Sequence, residues 1–360
     1  MGSANVARFL EERAVDSPER AAVLAPQGRS SDGTIKYERL SFAQLNGETE
    51  QLAAVFRETG ISRGTRVLLM VKPGSDLIRC CFTLFKVGAV PVVIDPGMGV
   101  RSFLQCVRRS KPEAVVGIPL AIILSRLFGS SFRQTRTRLT VGKGLMRKAA
   151  AFPEKGEGSV ESTADELAAI LFTSGSTGPA KGVCYQHEQF DAQVQLVRES
   201  FGIEAGEVDL PMLPLFALFN PALGMTTVVP ELNPGKPATV QPEKILQALD
   251  QCAVTNSFGS PVLWQKLSAH AAAKGISFPG VRRILMAGAP VAPVLYRQMR
   301  PVFPEAQLIS PYGATECLPV SAIEGGMVLN ETADADGSGG GYLCRLPREW
   351  GCRPHHPYCR

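Results

Sequence analysis

The sequence predicts an α/β protein with repeated βαβ units and mostly parallel sheets. Three observations carry that expectation. The chain has 360 residues, 45% of them hydrophobic and 20% charged, enough to bury a sizeable core as two domains or one large one. A strand, a helix and a second strand follow one another between Arg66 and Ile94 at crossover spacing. The same alternation then returns three times further along.

Arg66-Val67-Leu68-Leu69-Met70-Val71 reads as a buried strand, Lys72-Pro73-Gly74 as a turn, and Ser75 as the cap of a helix reaching about Val87. Val90 to Ile94 is the next strand, ended by Asp95-Pro96-Gly97. A strand, helix and strand so spaced imply parallel pairing through a right-handed crossover. Leu167 to Phe172 is a further strand, followed by a Gly/Ser/Thr loop and a helix from about Glu188 to Ser200. Val254 to Phe258 leads into a helix from Pro261 to Lys274, and Arg283 to Met286 into one from Pro293 to Arg300. Helices therefore cover parallel sheet, and ligands are expected at the carboxyl ends of strands. The segment from Gly142 to Ala164, rich in Gly, Lys, Glu and Ser, reads as an exposed connection.

Several function classes are disfavoured by composition. No apolar run approaches the roughly 18 residues that span a bilayer, and Ala114 to Leu124 is broken by Ser125 and Arg126. Arg8, Glu11, Glu12 and Arg13 surround too short an apolar run for a signal peptide, so a cytoplasmic protein is expected. The nine cysteines lack a regular framework, and most read as reduced core residues. The net charge of +5 is local: Ala114 to Pro153 holds seven bases between Arg126 and Lys148 and no acid. That distribution argues against a nucleic-acid footprint. Read alone, the basic segment 126–148 is a solvated face, and it is also compatible with contact to a membrane surface or with gathering acyl carriers.

The most informative stretch is Leu171-Phe172-Thr173-Ser174-Gly175-Ser176-Thr177-Gly178-Pro179-Ala180-Lys181-Gly182-Val183. Glycines let backbone amides crowd toward an anion, hydroxyls donate further hydrogen bonds, and a lysine adds a compact positive charge. A polyphosphate is the guest such a loop suits. The spacing is not that of the common P-loop. A flexible linker would not follow a buried strand so tightly.

This loop resembles the signature of the adenylate-forming superfamily, the AMP-dependent synthetases and ligases. These include acyl-CoA synthetases, firefly luciferase and the adenylation domains of peptide synthetases. The usual ending is x-Pro-Lys-Gly, where this chain has Pro179-Ala180-Lys181-Gly182. Leu40-Ser41-Phe42-Ala43-Gln44-Leu45 and the block from Leu84 to Pro96 are similar to other family blocks. Met286-Ala287-Gly288-Ala289-Pro290 looks like the strand end that lines the adenine, and Pro311-Tyr312-Gly313-Ala314-Thr315-Glu316 like the block that completes the nucleotide site.

The resemblance implies the large N-terminal domain of such an enzyme, using ATP and Mg²⁺. Thr173, Ser174, Gly175, Ser176, Thr177, Gly178 and Lys181 would cradle phosphate, and Gly288, Ala289, Pro290, Tyr312, Gly313 and Thr315 would complete the nucleotide site. Tyr312 would pack on the base and Thr315 touch phosphate. Glu316 would hold the metal with Thr173, and Lys181, Thr315 and Glu316 would act in the chemistry. A carboxylate is a hard oxygen ligand of the kind Mg²⁺ takes.

Amino-acid-activating members hold the substrate ammonium with a carboxylate, since a buried cation without a partner is costly. The corresponding stretch here, Leu213 to Gly224, contains no acid, so an amino-acid substrate is disfavoured. Acyl-CoA synthetases often carry His where Ala217 falls. Gln186-His187 and Phe258-Gly259-Ser260-Pro261 look most similar to the β-lactone synthetases of bacterial long-chain olefin biosynthesis. The implied substrate is a long-chain acyl or β-hydroxyacyl acid, and other enzymes of olefin biosynthesis are candidate partners. Alternatives are a long-chain fatty acid CoA ligase and a non-catalytic remnant that binds nucleotide or acyl acid. The apolar residues around Phe216 fit an alkyl tunnel or plain core equally. His187 is expected to be a structural residue at a helix start rather than a base.

The family resemblance covers residues 1–336 as one incomplete N-terminal domain, and the family's small C-terminal domain with its lysine is not expected in this chain, so the resemblance implies a truncated form without activity. Residues 337–360 differ abruptly in composition and read as a disordered tail. A zinc site from Cys344, Cys352, His355 or His356 and Cys359 lacks a tight Cys-x-x-Cys pair and is disfavoured. Read one base later, the degenerate codons of Tyr342-Leu343-Cys344-Arg345 can encode Thr-Cys-Val-Gly, and those of Pro354-His355-His356-Pro357-Tyr358 can encode Arg-Ile-Ile-Pro-Ile. That resembles the family's next strand region and suggests a frameshifted continuation.

Overall fold

The computed structural model describes residues 3–173, 180–233, 235–236 and 239–332, with the backbone alone at 96, 173, 331 and 332. The strands in chain order are β1 (Ala21–Arg29), β2 (Ile35–Ser41), β3 (Arg66–Met70), β4 (Val90–Ile94), β5 (Ala114–Gly117), β6 (Thr137–Thr140), β7 (Leu167–Thr173) and β8 (Lys181–Gln186). They continue with β9 (Val208–Pro211), β10 (Thr226–Val228), β11 (Asn256–Gly259), β12 (Arg283–Met286), β13 (Gln307–Ala314) and β14 (Cys317–Glu324). The chain forms two compact units. The first takes the chain up to Val194 with Glu204–Gly206 and Pro214–Val229, and the second takes Gln195–Ile203, Glu207–Leu213 and the chain from Pro230. The expected tail, 337–360, with its zinc and reading-frame alternatives, lies outside the described residues.

In the first unit a six-stranded sheet runs β6-β5-β3-β4-β7-β8. Every pairing in it is parallel except β7 with β8. Parallel neighbours need a crossover, and the predicted βαβ unit supplies it at the centre of the sheet. Leu68, Val92, Val115 and Ile170, one from each of β3, β4, β5 and β7, share one core cluster. A second group in this unit pairs β1 antiparallel with β2 and parallel with β10.

Helices α1 (Arg8–Asp16), α2 (Phe42–Glu58) and α3 (Ser75–Lys86) pack with α2 against both others. A capping box explains why α2 begins where it does: the Gln44 amide donates to Ser41 Oγ at 3.2 Å, and the Ser41 amide donates to Gln44 Oε1 at 2.8 Å. Ser75 does not cap α3 as expected. It is the first residue of the helix after Gly74, and its hydroxyl donates to Glu38 Oε2 at 3.3 Å, a carboxylate being the stronger acceptor. Two buried cations of α3 are neutralised by neighbouring helices and strands. Arg79 faces Glu48 at 2.5 Å and Glu38 and Asp76 at 3.1 Å. Lys86, fully buried, pairs with Glu50 of α2 and with Glu11 of α1 at 3.0 Å.

Pro119 divides the apolar run from Ala114, having no amide to donate to a ladder, and two expectations need correction. The strand stops at Gly117 and a helix, Pro119–Leu127, begins. The stretch from Gly142 to Ala164 is not wholly an exposed connection. It contains the helix Lys143–Ala149, and Ser159 donates from its amide and hydroxyl to Glu11 at 2.9 and 3.0 Å. A partly buried carboxylate is stabilised by such donors. Of the six described cysteines only Cys80, Cys81 and Cys106 are buried, with burial pushing the Cys81 thiol up to about 12. Cys184 and Cys317 are exposed.

In the second unit the strands run β14-β13-β12-β11-β9. β9, β11, β12 and β13 pair in parallel, and β14 returns antiparallel on β13. Helices Pro242–Gln251, Pro261–Ala273 and Pro293–Met299 each carry proline in the first turn, where its missing amide costs nothing. Arg283 of β12 is buried and donates to Glu207 at 2.7 Å, Asn256 at 3.2 Å and the Gly202 carbonyl at 2.9 Å.

Candidate active site

The Gly/Ser/Thr loop joins two strands rather than a strand and a helix. β8 intervenes before the helix His187–Phe201 and runs antiparallel to β7. Its register sets Leu171 against Val183, Phe172 against Gly182 and Thr173 against Lys181. Thr173 and Lys181 therefore face each other across the foot of the loop, at the carboxyl end of β7. Lys181 is exposed. Ser174, Gly175, Ser176, Thr177 and Gly178 lie outside the described residues, as does the side chain of Thr173.

Two features of this foot were not read from the sequence. A Cβ at Gly182 would stand 2.7 Å from the Phe172 ring, so the glycine is required by close packing rather than by phosphate. Arg109, on the helix Val100–Ser110, donates from Nη1 to the Ala180 carbonyl at 3.0 Å and holds the downstream foot of the loop. Only the tertiary fold brings a residue 71 positions away to that carbonyl.

His187 opens its helix in a buried position, and its Nδ1 accepts from the Val6 amide at 3.2 Å. Burial pushes its imidazole down to about 4, with Glu166 opposing and Arg8 adding to the effect. A neutral ring that accepts from a backbone amide is a structural part, as the sequence suggested. The acid-free stretch after it forms a short 3₁₀ turn, Pro214–Leu218, and the helix Asn220–Leu223. Phe219 stacks on Phe190 at 4.8 Å with the rings parallel, Phe216 lies 6.2 Å from Phe219, and Phe85 lies 6.5 Å from Phe190. Ala217 is buried.

In the second unit β12 and β13 end on the same edge, since Leu285 pairs with Ile309 in parallel. Beyond Met286 the chain is exposed at Gly288, Ala289 and Pro290, and Gly288 has φ +92°, a conformation only glycine adopts freely. Beyond Pro311 the β13–β14 hairpin carries Tyr312 opposite Ser321, and Ala314 opposite Cys317, leaving Thr315 and Glu316 at its tip. Tyr312 is 62% exposed and Glu316 is exposed, so ring and carboxylate both face solvent. A Cβ at Gly313 would meet Leu318 at 2.6 Å and the Cys317 carbonyl at 2.8 Å, which explains the glycine. The structure thus brings Gly288, Ala289, Pro290, Tyr312, Gly313, Thr315 and Glu316 to one edge of the second unit, and Thr173 and Lys181 to one strand end of the first.

Among the described residues no group of three His, Cys, Asp or Glu is assembled to hold a metal. A single exposed carboxylate such as Glu316 suits Mg²⁺, which keeps waters and takes its remaining oxygens from phosphate.

The AMP-binding enzyme family model matches residues 10–344, and the chain belongs to that family. It is 41% identical over 345 residues to an olefin beta-lactone synthetase of Xanthomonas campestris, covering 94% of this chain and 61% of that protein. An olefin beta-lactone synthetase of Stenotrophomonas maltophilia is 41% identical over 350 residues, covering 94% and 62%. The chain therefore spans about three fifths of the length of these relatives. Among solved structures, the inhibitor-bound N-terminal domain of FACL13 from Mycobacterium tuberculosis has the same fold, with a TM-score of 0.77 at 19% identity over 90% of this chain and 80% of that one.

Proposed function

We propose that this chain carries the nucleotide-activating part of an enzyme that uses ATP and Mg²⁺ to convert a long-chain β-hydroxy acid to an acyl-adenylate, on the route to a β-lactone. The observation that carries the reading is the pairing of Thr173 with Lys181 across the foot of the Gly/Ser/Thr loop, in a chain of the AMP-binding family. The 41% identity to two olefin beta-lactone synthetases supports the choice of acid and product.

In this reading Lys181 and the loop from Thr173 to Gly178 bind the polyphosphate, and Lys181 offsets charge developing on it. Gly288, Ala289, Pro290, Tyr312 and Gly313 receive the base. Thr315 donates to phosphate, and Glu316 with Thr173 holds Mg²⁺, which when bound neutralises phosphate oxygens. Preorganised charges of this kind commonly supply the largest part of a rate enhancement. The phenylalanines around Phe219 line the path of an alkyl chain, and the absence of acid from Leu213 to Gly224 disfavours an amino-acid substrate. The same reading places the protein in the cytoplasm. Among the described residues no helix is long and apolar enough to cross a membrane.

Calorimetry tests both halves of the proposal. ATP with Mg²⁺ is expected to bind, and Lys181→Ala or Glu316→Ala to weaken it by about tenfold or more, since a charge-assisted hydrogen bond contributes roughly 1.5–3 kcal/mol. A non-hydrolysable adenylate bearing a long β-hydroxyacyl chain is expected to bind more tightly than its aminoacyl counterpart. Equal nucleotide affinity in all three proteins sinks the loop assignment, and preference for the aminoacyl analogue sinks the acid.

A further inference from the structure

The helix Pro119–Leu127 carries β5 into β6, the edge strand of the six-stranded sheet. One side of it is bolted to the core. Ala121, Ile122 and Ser125 are buried, Ile122 lies in the cluster with Leu68, Val115 and Phe132, and Ser125 Oγ accepts from Arg138 Nε at 3.0 Å. At 100° per residue those three positions occupy one face, and Leu120, Ile123 and Leu127 fall together on the other. These aliphatic side chains are 58%, 60% and 73% exposed. Unlike a scatter of single surface apolar residues, they form a stripe at i, i+3 and i+7 on a helix that cannot roll.

Along the segment that carries this stripe the charge has one sign. From Ala114 to Pro153 there is no acid. Arg126 flanks the stripe, and the loop that follows buries Ser131, Phe132 and Thr135 while exposing Arg133 and Arg136. Lys143 and Arg147 are exposed on the next helix. Two bases of the segment are already engaged: Arg138 turns inward to Ser125, and Lys148 pairs with Glu58 of α2 at 3.4 Å.

We propose that this face, Leu120, Ile123 and Leu127 with Arg126, Arg133 and Arg136, docks reversibly on an anionic phospholipid bilayer. Three aliphatic side chains on a two-turn stripe are too few to anchor a protein alone, and a basic patch alone gives only diffuse attraction. Apolar insertion and attraction to anionic headgroups together make a usable anchor. A protein partner is less well matched, because interface centres favour aromatic residues and are depleted in charge, whereas this stripe is purely aliphatic with cations alongside. Docking there would also bring the enzyme to the phase in which a long-chain acid dissolves. The proposal does not depend on the nucleotide reading, since the face lies away from Lys181 in sequence and needs no ATP.

Co-sedimentation of the 360-residue protein with sized vesicles tests it. Vesicles of phosphatidylglycerol and phosphatidylcholine should carry the protein down and pure phosphatidylcholine should not, with partitioning falling as salt is raised. Leu120→Gln/Ile123→Gln/Leu127→Gln should lower partitioning by roughly tenfold or more, and Arg126→Glu/Arg133→Glu/Arg136→Glu should abolish it. All six positions are at the surface. Circular dichroism and thermal unfolding of the variants report whether each still folds, and Leu120→Ala/Leu127→Ala serves as a gentler second variant. Equal recovery with both vesicle types overturns the proposal. So does unchanged binding in the glutamine variant, pelleting without vesicles through self-association, or capture of an acidic carrier protein with no vesicle binding.

Discussion

Lowering the pH should destabilise this protein through His187. The imidazole is buried, receives the Val6 amide on Nδ1 and is held down to about 4 against an ordinary value of 6.5. Between those two values the unfolded chain binds a proton that the folded chain refuses. The unfolded state then holds more protons, so stability rises with pH through this window and is lost as pH falls from 6.5 toward 4. A gap of about 2.5 in pH, at 1.36 kcal/mol for each, sets a ceiling near 3 kcal/mol, and relaxation around the ring reduces this to about 2 kcal/mol. His187→Asn removes the titration while leaving an oxygen to accept from Val6. Urea unfolding at pH 7.5, 6, 5 and 4.5 should therefore show the wild type losing about 2 kcal/mol more than the variant across the series. Parallel curves for the two proteins, or an imidazole resonance that titrates near 6.5, would refute the reasoning and return His187 to the pool of candidate bases.

Two further predictions concern packing. Lys86→Met leaves the buried Glu50 without its cation and should cost about 3–5 kcal/mol in chemical denaturation, with Glu50→Gln added to it recovering part of the loss. A cost under about 1 kcal/mol would show that the pair contributes little. Gly182→Ala drives a methyl group to 2.7 Å from the Phe172 ring, and should cost about 1–3 kcal/mol in the same assay. Phe172→Leu in the same chain should relieve part of that cost, and no relief would locate the strain elsewhere.

Periodicity and turn chemistry sufficed for the central βαβ unit, because β3 and β4 are continuous apolar runs bounded by Lys72-Pro73-Gly74 and Asp95-Pro96-Gly97, and no tertiary partner competes with such signals. Helix Pro261–Ala273 was legible for the same reason. β8 was not. Its residues Lys181-Gly182-Val183-Cys184-Tyr185-Gln186 carry no strong alternation, and they become a strand only because β7 offers a free edge to pair with. β13 and β14 were hidden likewise: Tyr312 to Glu316 reads as a turn-rich block, and the hairpin exists because β13 lies beside β12.

The same division holds for the site. The sequence by itself determined which chemical groups are available: hydroxyls, glycines and Lys181 in one loop, Tyr312, Thr315 and Glu316 in one block, and no acid between Leu213 and Gly224. These are properties of residue type and short spacing, which the chain carries wherever it is folded. Only the tertiary structure decided that Lys181 stands opposite Thr173, that Arg109 holds the Ala180 carbonyl, that His187 is sealed against the Val6 amide and that Lys86 is buried between two carboxylates. Each of those relations joins side chains or backbone groups that no local pattern connects. Burial, which sets the charge state of His187 and requires a partner for Lys86, comes from the packed core rather than from any residue read alone.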